Sequence, residues 1–492
     1  MLPDDLYTAA AVRRFEREAI AAGIPGYTLM QRAGTVALDA LRQLWPAAKS
    51  IAVVTGPGNN GGDGLVVARL ARQQGFAVVI LQVGTADLQG EALQALQDLL
   101  RTGQEVRPFD AALLAGQHVI VDALLGIGVR APLRPEWLAA IEAMNACDCP
   151  ILSLDLPSGL DPDTGRALPA VCATATQSFL ALKQGLFLAE GPAHAGQVLF
   201  DDLGVQASKD AEPTLRTMND RCLAAALAPR LRESHKGLFG RVLIIGGGTG
   251  MPGAVRLAAE SALRSGAGLV TVASRPEHLA AVVTMRPELM FHAVADADDI
   301  DQPLSQADVI AIGPGLGRSE WARELLERVF ALRTSGQQLV VDADALNLIA
   351  AGAGRQQCED WILTPHPGEA GRLLGCDAQS VQQDRVSALA SLCQHRGGTI
   401  VLKGAGTLVG RLGRVPLLCQ QGNPGMAAPG MGDVLTGALA GILAQRAEPF
   451  AAAAAGVYAH AVAGDRCMRG GLRGMLALEL AQELRAVLAP IP

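Results

Sequence analysis

The sequence predicts an α/β protein of two domains, each a parallel β-sheet covered by helices. Three observations carry that expectation. Short β-branched runs alternate with alanine- and leucine-rich stretches of helical period along the whole chain. The length, 492 residues, corresponds to two to four domains at roughly 150 residues each. A polar stretch without apolar period, Gln206 to Asn219, contains Lys209, Asp210, Glu212 and Pro213 and is the expected boundary.

Thr8 to Ala22 reads as a leading helix, with Thr8 as its N-cap and Gly23 just past its end. The expected strands are Ile51 to Thr55, Ala77 to Val83, His118 to Val121, Ile151 to Leu154, Arg241 to Ile245, Leu269 to Ala273, Val309 to Ile312, Gln338 to Val341, Trp361 to Leu363 and Thr399 to Leu402. That is more than one sheet holds comfortably. Pro252 followed by Ala254 to Leu263 fits a helix start aimed at a ligand. Ala451 to Gly464 is apolar but carries Tyr458 and His460, and it is shorter than the about 20 residues of a bilayer span. It reads as a buried helix, and no membrane partner is expected.

The net charge of -7 and pI near 5.7 exclude general nucleic-acid binding, which needs a basic surface. Met1-Leu2-Pro3-Asp4-Asp5 places acids where a secretory peptide needs positive charge, so a cytoplasmic protein is expected. Nine cysteines without a Cys-x-x-Cys pair fit reduced thiols and not a disulfide or zinc framework.

The most informative segment is GPGNNGGDG, Gly56 to Gly64, directly after the apolar run Ile51 to Val54. Glycines after a strand bring backbone N–H groups close to phosphate or polar ligands. The segment lacks the Lys-Ser/Thr ending of a nucleoside-triphosphate P-loop and carries Asn59, Asn60 and Asp63 instead. Gly56, Gly58 and Gly61 satisfy G-x-G-x-x-G, but no acid follows the second strand until Asp87, which argues against dinucleotide hydride transfer. Asp122 and Asp155 end two further strands, where ligands of open parallel sheets gather. Such acids also serve as turn caps. With Asn60 and Ser158 they form a set of hard oxygen donors suited to an alkali or alkaline-earth cation.

The second half repeats the theme. Gly248, Gly250 and Gly253 follow the strand Arg241 to Ile245, and Gly313-Pro314-Gly315-Leu316-Gly317 follows VIAI. His366 stands between two prolines just beyond a strand, and Lys403-Gly404-Ala405-Gly406-Thr407 follows TIVL. In Gly430-Met431-Gly432-Asp433 two glycines bare donors at a helix start while an acid on the same turn can take a hydroxyl proton. That is a layout for phosphoryl transfer, with the plain N-cap as the structural alternative.

The segments GPGNNGGDG, VDALLGIG with VRAP, and LDLPSGLDPDTG resemble the epimerase domain of NAD(P)H-hydrate repair enzymes. SHKGLFGRVLIIGG, VVDADALN, LTPHPGE, VLKGAGT and QGNPGMAAPGMGDVLTG resemble the dehydratase domain of the same family, which is similar to ribokinase-type folds. The resemblance implies a Rossmann-like three-layer α/β/α epimerase domain over residues 1–217 and a ribokinase-like dehydratase domain over 218–492. The first would interconvert R and S nicotinamide hydrates; the second would dehydrate the S form with ADP, giving AMP and phosphate.

By that resemblance, Asn59, Asn60, Gly61, Gly62 and Asp63, together with Gly126, Ile127, Gly128, Val129, Arg130, Ala131 and Pro132, would hold the hydrate. Asp155 would contact it as acid/base, and Asn60, Asp122 and Ser158 would bind K+. In the second domain Ala254, Gly315, His366 and Asp433 match substrate positions, and Lys403, Gly404, Ala405, Gly406, Thr407 and Gly432 match nucleotide positions. Asp433 would be the catalytic base, with Mg2+ countering phosphate charge. The expected partners are NADHX, NADPHX and ADP or ATP, and the expected assembly is a homo-oligomer. Ala428-Pro429 departs from the smaller or hydroxylated residues usual there, which bears on donor preference and rate. The alternative reading is a ribokinase-like small-molecule kinase fused to a ligand-binding or scaffold domain.

Overall fold

The computed structural model describes residues 2–489 except 86, 130, 206–211 and 285. Its contacts divide the chain after Leu215 into two compact units. Of the expected boundary stretch, residues 206–211, Lys209 and Asp210 among them, lie outside the described residues.

In the first unit the leading helix forms at Ala9–Ala21, and Thr8 caps it by accepting from the Ala11 N–H at 3.3 Å. Seven parallel strands lie in the order Arg107–Pro108, Ala77–Gln82, Ser50–Thr55, Val119–Ala123, Ile151–Leu154, Ala175–Phe179 and Gln197–Asp201. Ile51 and Val53 join the core under Gly26–Leu44 and Asn59–Gln73, whereas Ala52 and Val54 join the opposite core with Ile141 and Met144 of Pro135–Asn145. Both faces of this strand are therefore covered, which explains its unbroken apolar run.

Strand order reverses between Ser50–Thr55 and Val119–Ala123, and this switch point opens a crevice at the strands' carboxyl ends. The turns after both strands, Gly56–Gly58 and Leu124–Gly126, meet there. Three of these strands, Ala175–Phe179, Gln197–Asp201 and the two-residue Arg107–Pro108, were absent from the sequence expectation. The reason is polarity: Thr176, Gln177 and Ser178 are buried, so the first of them carries no apolar run.

The second unit repeats the arrangement. Six parallel neighbours run Trp361–Leu363, Gln338–Val341, Val309–Ile312, Arg241–Ile245, Leu269–Ser274 and Met290–Ala293, with Thr399–Leu402 parallel beside Trp361–Leu363. Here the all-parallel expectation needs correction, because Thr407–Arg411 runs antiparallel beside Thr399–Leu402, and Leu417–Cys419 runs antiparallel in turn beside Thr407–Arg411. The switch point falls between Arg241–Ile245 and Val309–Ile312, where the Gly247 N–H donates to Pro314 O at 3.0 Å.

Helices Pro252–Arg264, Met431–Leu443 and Pro449–Cys467 cover this sheet. The last contains the expected alanine-rich segment and is buried along most of its length. Among the described residues no helix is long and apolar enough to cross a membrane. All nine cysteines are free.

Candidate functional site

Each unit gathers its candidate residues at its own switch point. In the first, the glycine segment is less loop than its composition suggests: only Gly56 to Gly58 form the turn, and the helix Asn59–Gln73 starts inside the motif. Its first N–H groups have no partner within the helix. Gly56 is required by packing, since a Cβ there would lie 2.0 Å from Leu124 O.

A cavity of about 520 Å³ opens at this helix start, lined by Glu16, Asn59, Asn60, Asp63, Gly126, Ile127, Gly128, Val129, Asp155 and Lys183. Gly61 and Gly62 lie behind its wall, against Gly56 O and Met30. Ala131 and Pro132 are exposed and joined by a cis peptide, and Arg130 lies outside the described residues. Arg13 of the leading helix pins the neighbouring loop by donating to Ile127 O at 2.7 Å.

Asp155 follows the strand Ile151–Leu154 with φ 65, a left-handed conformation uncommon outside glycine. Its carboxylate pairs with the Lys183 ammonium and accepts from the Phe179 N–H at 3.2 Å. Lys183 also donates to Phe179 O at 2.7 Å and to Ser178 Oγ at 3.3 Å. The sequence reading missed this lysine, which lies in ALKQGL without a motif; its signal is position, four residues past the strand that neighbours Asp155. Burial first, then the charges of Asp155 and Glu16, raise Asp63 well above the ordinary carboxylate range. Burial, Asp155 and Glu91 likewise raise Glu16.

Behind the cavity wall, Asp122 is fully buried and accepts only from neutral donors among the described residues: Ser158 Oγ at 2.5 Å, Ser153 Oγ at 2.7 Å, Ser158 N at 2.9 Å and Leu124 N at 3.3 Å. Burial raises its pKa, partly offset by those hydrogen bonds. Asn60 Nδ2 donates to Leu125 O at 3.0 Å, which Ser158 Oγ also approaches at 3.2 Å. Asn60 Oδ1 is buried without a hydrogen-bond partner among the described residues. Asn60, Asp122 and Ser158 thus stand together around an unsatisfied oxygen and an uncompensated carboxylate, and these fit a desolvated monovalent cation.

In the second unit, four strand ends deliver Gly313 to Gly317, Asp342 to Asp344, Thr364 to Glu369 and Lys403 to Thr407 to one place. The helix Met431–Leu443 points its N-terminus at them. Gly430, with φ 84, lets the chain enter that helix, and Asp433 lies on its first turn. A Cβ on Gly432 would lie 3.6 Å from Lys403 Nζ and 3.8 Å from Asp342 Oδ2.

The Lys403 ammonium does not stand free for a phosphate. It donates to Asp342 Oδ1 at 2.7 Å and lies 3.8 Å from Glu369 Oε2. Asp342 also accepts from Thr364 Oγ1 and Thr436 Oγ1, both at 2.7 Å, and so ties two strand ends to the helix. Burial would raise Asp342, but Lys403 and these hydrogen bonds hold it below the ordinary range; burial would lower Lys403, but Asp342 and Glu369 hold it above. The sequence reading assigned Asp342 no role, although VVDADALN places it at a strand end just as HVIVD places Asp122.

Around that pair stand two carboxyls with displaced titrations. Burial, then Asp342, push Asp433 up to about 7 against the opposing Lys403. Burial also pushes Glu369 up to about 7. His366 caps the helix Pro367–Leu374 by accepting from the Gly368 and Glu369 N–H groups through Nδ1 at 3.0 and 3.4 Å. Burial and Lys403 lower its pKa. Ala254 and Gly315 adjoin, since a Cβ on Gly315 would lie 2.9 Å from that of Ala254. His460 Nε2 lies 3.0 Å from Met431 O and, pushed down to about 4 by burial, stays neutral as it supports the helix start.

The NAD(P)H-hydrate dehydratase family matches residues 242–486, and the family described as YjeF-related protein N-terminus matches residues 26–185. The bifunctional NAD(P)H-hydrate repair enzyme of Coxiella burnetii is 46% identical over 490 residues, 99% of each chain. That of Escherichia coli is 41% identical over 99% of this chain and 95% of its own. A ribokinase-like superfamily protein of Enterococcus faecalis superposes on 57% of this chain and 98% of its own, at 32% identity and a TM-score of 0.52. The chain belongs to the family of bifunctional NAD(P)H-hydrate repair enzymes.

Proposed function

We propose that this chain restores hydrated nicotinamide cofactors, the first unit interconverting the R and S hydrates and the second dehydrating the S form at the expense of ADP. The observation that carries the second half is Asp433, a buried acid on the first turn of a glycine-entered helix, beside the Lys403–Asp342 pair. Hydroxide is a poor leaving group, whereas phosphate is a good one. Asp433 takes the proton of the ring hydroxyl while its oxygen attacks the terminal phosphorus of ADP, releasing AMP. The N–H groups of Met431 and Gly432 face the charge that develops on the phosphoryl oxygens. Carbon–oxygen cleavage then expels phosphate, and loss of a proton from the neighbouring ring carbon restores the dihydropyridine.

The turn Gly404 to Thr407 offers backbone donors to the nucleotide, and Ala254, Gly315 and His366 border the space for the hydrate. Magnesium, carried on the nucleotide's phosphates, would supply countercharge.

In the first unit Asp155 is the acid/base at the hydroxyl-bearing carbon, held by Lys183, while the helix start at Asn59 and the Gly126 to Val129 segment bind the substrate's polar groups. Asn60 Oδ1, Asp122 and Ser158 would hold potassium, whose charge would balance the Asp122 carboxylate. Free thiols and an acidic surface suit a cytoplasmic setting. The test is an epimeric hydrate mixture incubated with ADP, magnesium and potassium, following the absorbance of reduced cofactor. Complete recovery is expected; recovery that stops at the S fraction would overturn the epimerase assignment, and no recovery the dehydratase assignment.

A further inference from the structure

Arg385 opens the helix Arg385–Arg396 and is only 5% exposed. Its guanidinium meets carbonyls and not acids. Nη2 donates to Leu402 O at 3.1 Å, Gly406 O at 3.2 Å and Lys403 O at 3.4 Å, while Nη1 donates to Gln382 Oε1 at 2.7 Å and Lys403 O at 3.4 Å. Nε is buried without a partner among the described residues. Burial pushes the pKa down to about 10, with no neighbouring charge in opposition. A cation held this way in the interior is costly unless an anion approaches it.

The carbonyls it grips belong to the turn between Thr399–Leu402 and Thr407–Arg411. In a planar peptide C=O and N–H point in opposite directions, so drawing Lys403 O inward turns the Gly404 N–H outward. That N–H has a single long bond to Thr407 Oγ1, at 3.3 Å. Gly404 and Gly406 adopt φ 146 and 67, and a Cβ on Gly404 would come 2.9 Å from Arg385 Nη1. The turn therefore rests directly on the guanidinium.

We propose that Arg385 is the positioning residue of the nucleotide turn: it fixes the Lys403–Thr407 backbone with donors outward and supplies, from beneath, a positive charge that the phosphates of a bound nucleoside diphosphate balance. This rests on the reading of that turn as the nucleotide site. Arg385 acts through the backbone and touches no reacting atom.

The test is calorimetric ADP binding and steady-state dehydration with the full chain, comparing wild type, Arg385→Gln and Arg385→Lys. Losing a charged hydrogen-bonding group should raise Kd and KM for ADP about tenfold in Arg385→Gln, with kcat changed far less. Arg385→Lys keeps the charge but not the planar fork, and should fall between. Adenosine, which lacks phosphates, should lose less affinity than ADP. Epimerisation should be unchanged in both variants. A folded Arg385→Gln protein with wild-type Kd and KM would overturn the proposal; if that variant does not fold, wild-type values in Arg385→Lys overturn it equally. A wild-type chain that binds no ADP would instead overturn the underlying reading of the turn.

Discussion

The two candidate sites occupy equivalent places, each at the carboxyl ends of parallel strands where strand order reverses, yet they manage charge differently. In the first unit the carboxylate proposed for chemistry, Asp155, is paired directly with the buried Lys183, and the uncompensated charge lies behind the wall at Asp122. In the second the lysine is paired elsewhere: Lys403 neutralises Asp342, and Asp433 is left buried with its titration near 7. A carboxylate held by an ammonium stays aimed, whereas a carboxyl displaced toward neutral pH is a stronger proton acceptor once it ionises. The same placement at the carboxyl ends of parallel strands thus supports an exchange of configuration in one half and activation of an alcohol in the other.

This contrast can be broken most severely at the acids themselves. Asp433→Ala should lower dehydration by at least about a hundredfold, the range of general-base removal, while epimerisation measured on the same protein persists. Asp155→Asn should do the reverse, and rapid R-to-S exchange in that variant would remove Asp155 from its role. Next comes Asp342→Asn. Removing one partner of a buried pair destabilises by about 3–5 kcal/mol, so calorimetry should record an earlier melting of the second unit, with epimerase activity retained below that transition.

Two smaller effects sharpen the comparison through pH. As a base, Asp433 must be ionised, so dehydration by wild type should rise as pH increases through about 7; a flat profile across that range would contradict the role. For stability the sign is opposite. A carboxyl whose folded pKa lies above its unfolded value of 3.8 binds more protons folded, so its contribution falls as pH rises between about 4 and 7. Asp433→Asn should therefore melt above wild type at pH 8, by a margin that shrinks toward pH 5.

Much of the frame was legible because apolar strand runs and glycine turns are local signals. Ile151–Leu154, Arg241–Ile245, Val309–Ile312, Gln338–Val341 and Thr399–Leu402 fall at the expected residues. Ala175–Phe179 was not legible, because its buried polar residues are satisfied by partners outside the strand, such as Ala195 O for Thr176 and Lys183 for Ser178. The antiparallel turn-back at Thr407–Arg411 was hidden in the same way, its identity residing in pairing and not in composition. Asn60, Asp122, Ser158 and Asp433 were visible as motif residues. Asp342 stood within VVDADALN without an assigned role, and Lys183 and Arg385 were not visible, since each acts through a contact that only the fold creates.

The central claim is that each unit holds one complete and separate active site. It is tested most directly by mixing Asp155→Asn and Asp433→Ala proteins with both hydrate epimers, ADP, magnesium and potassium. Alone, the first should clear only the S epimer and the second neither; together they should restore reduced cofactor from both. A mixture that recovers no more than Asp155→Asn alone would contradict the account.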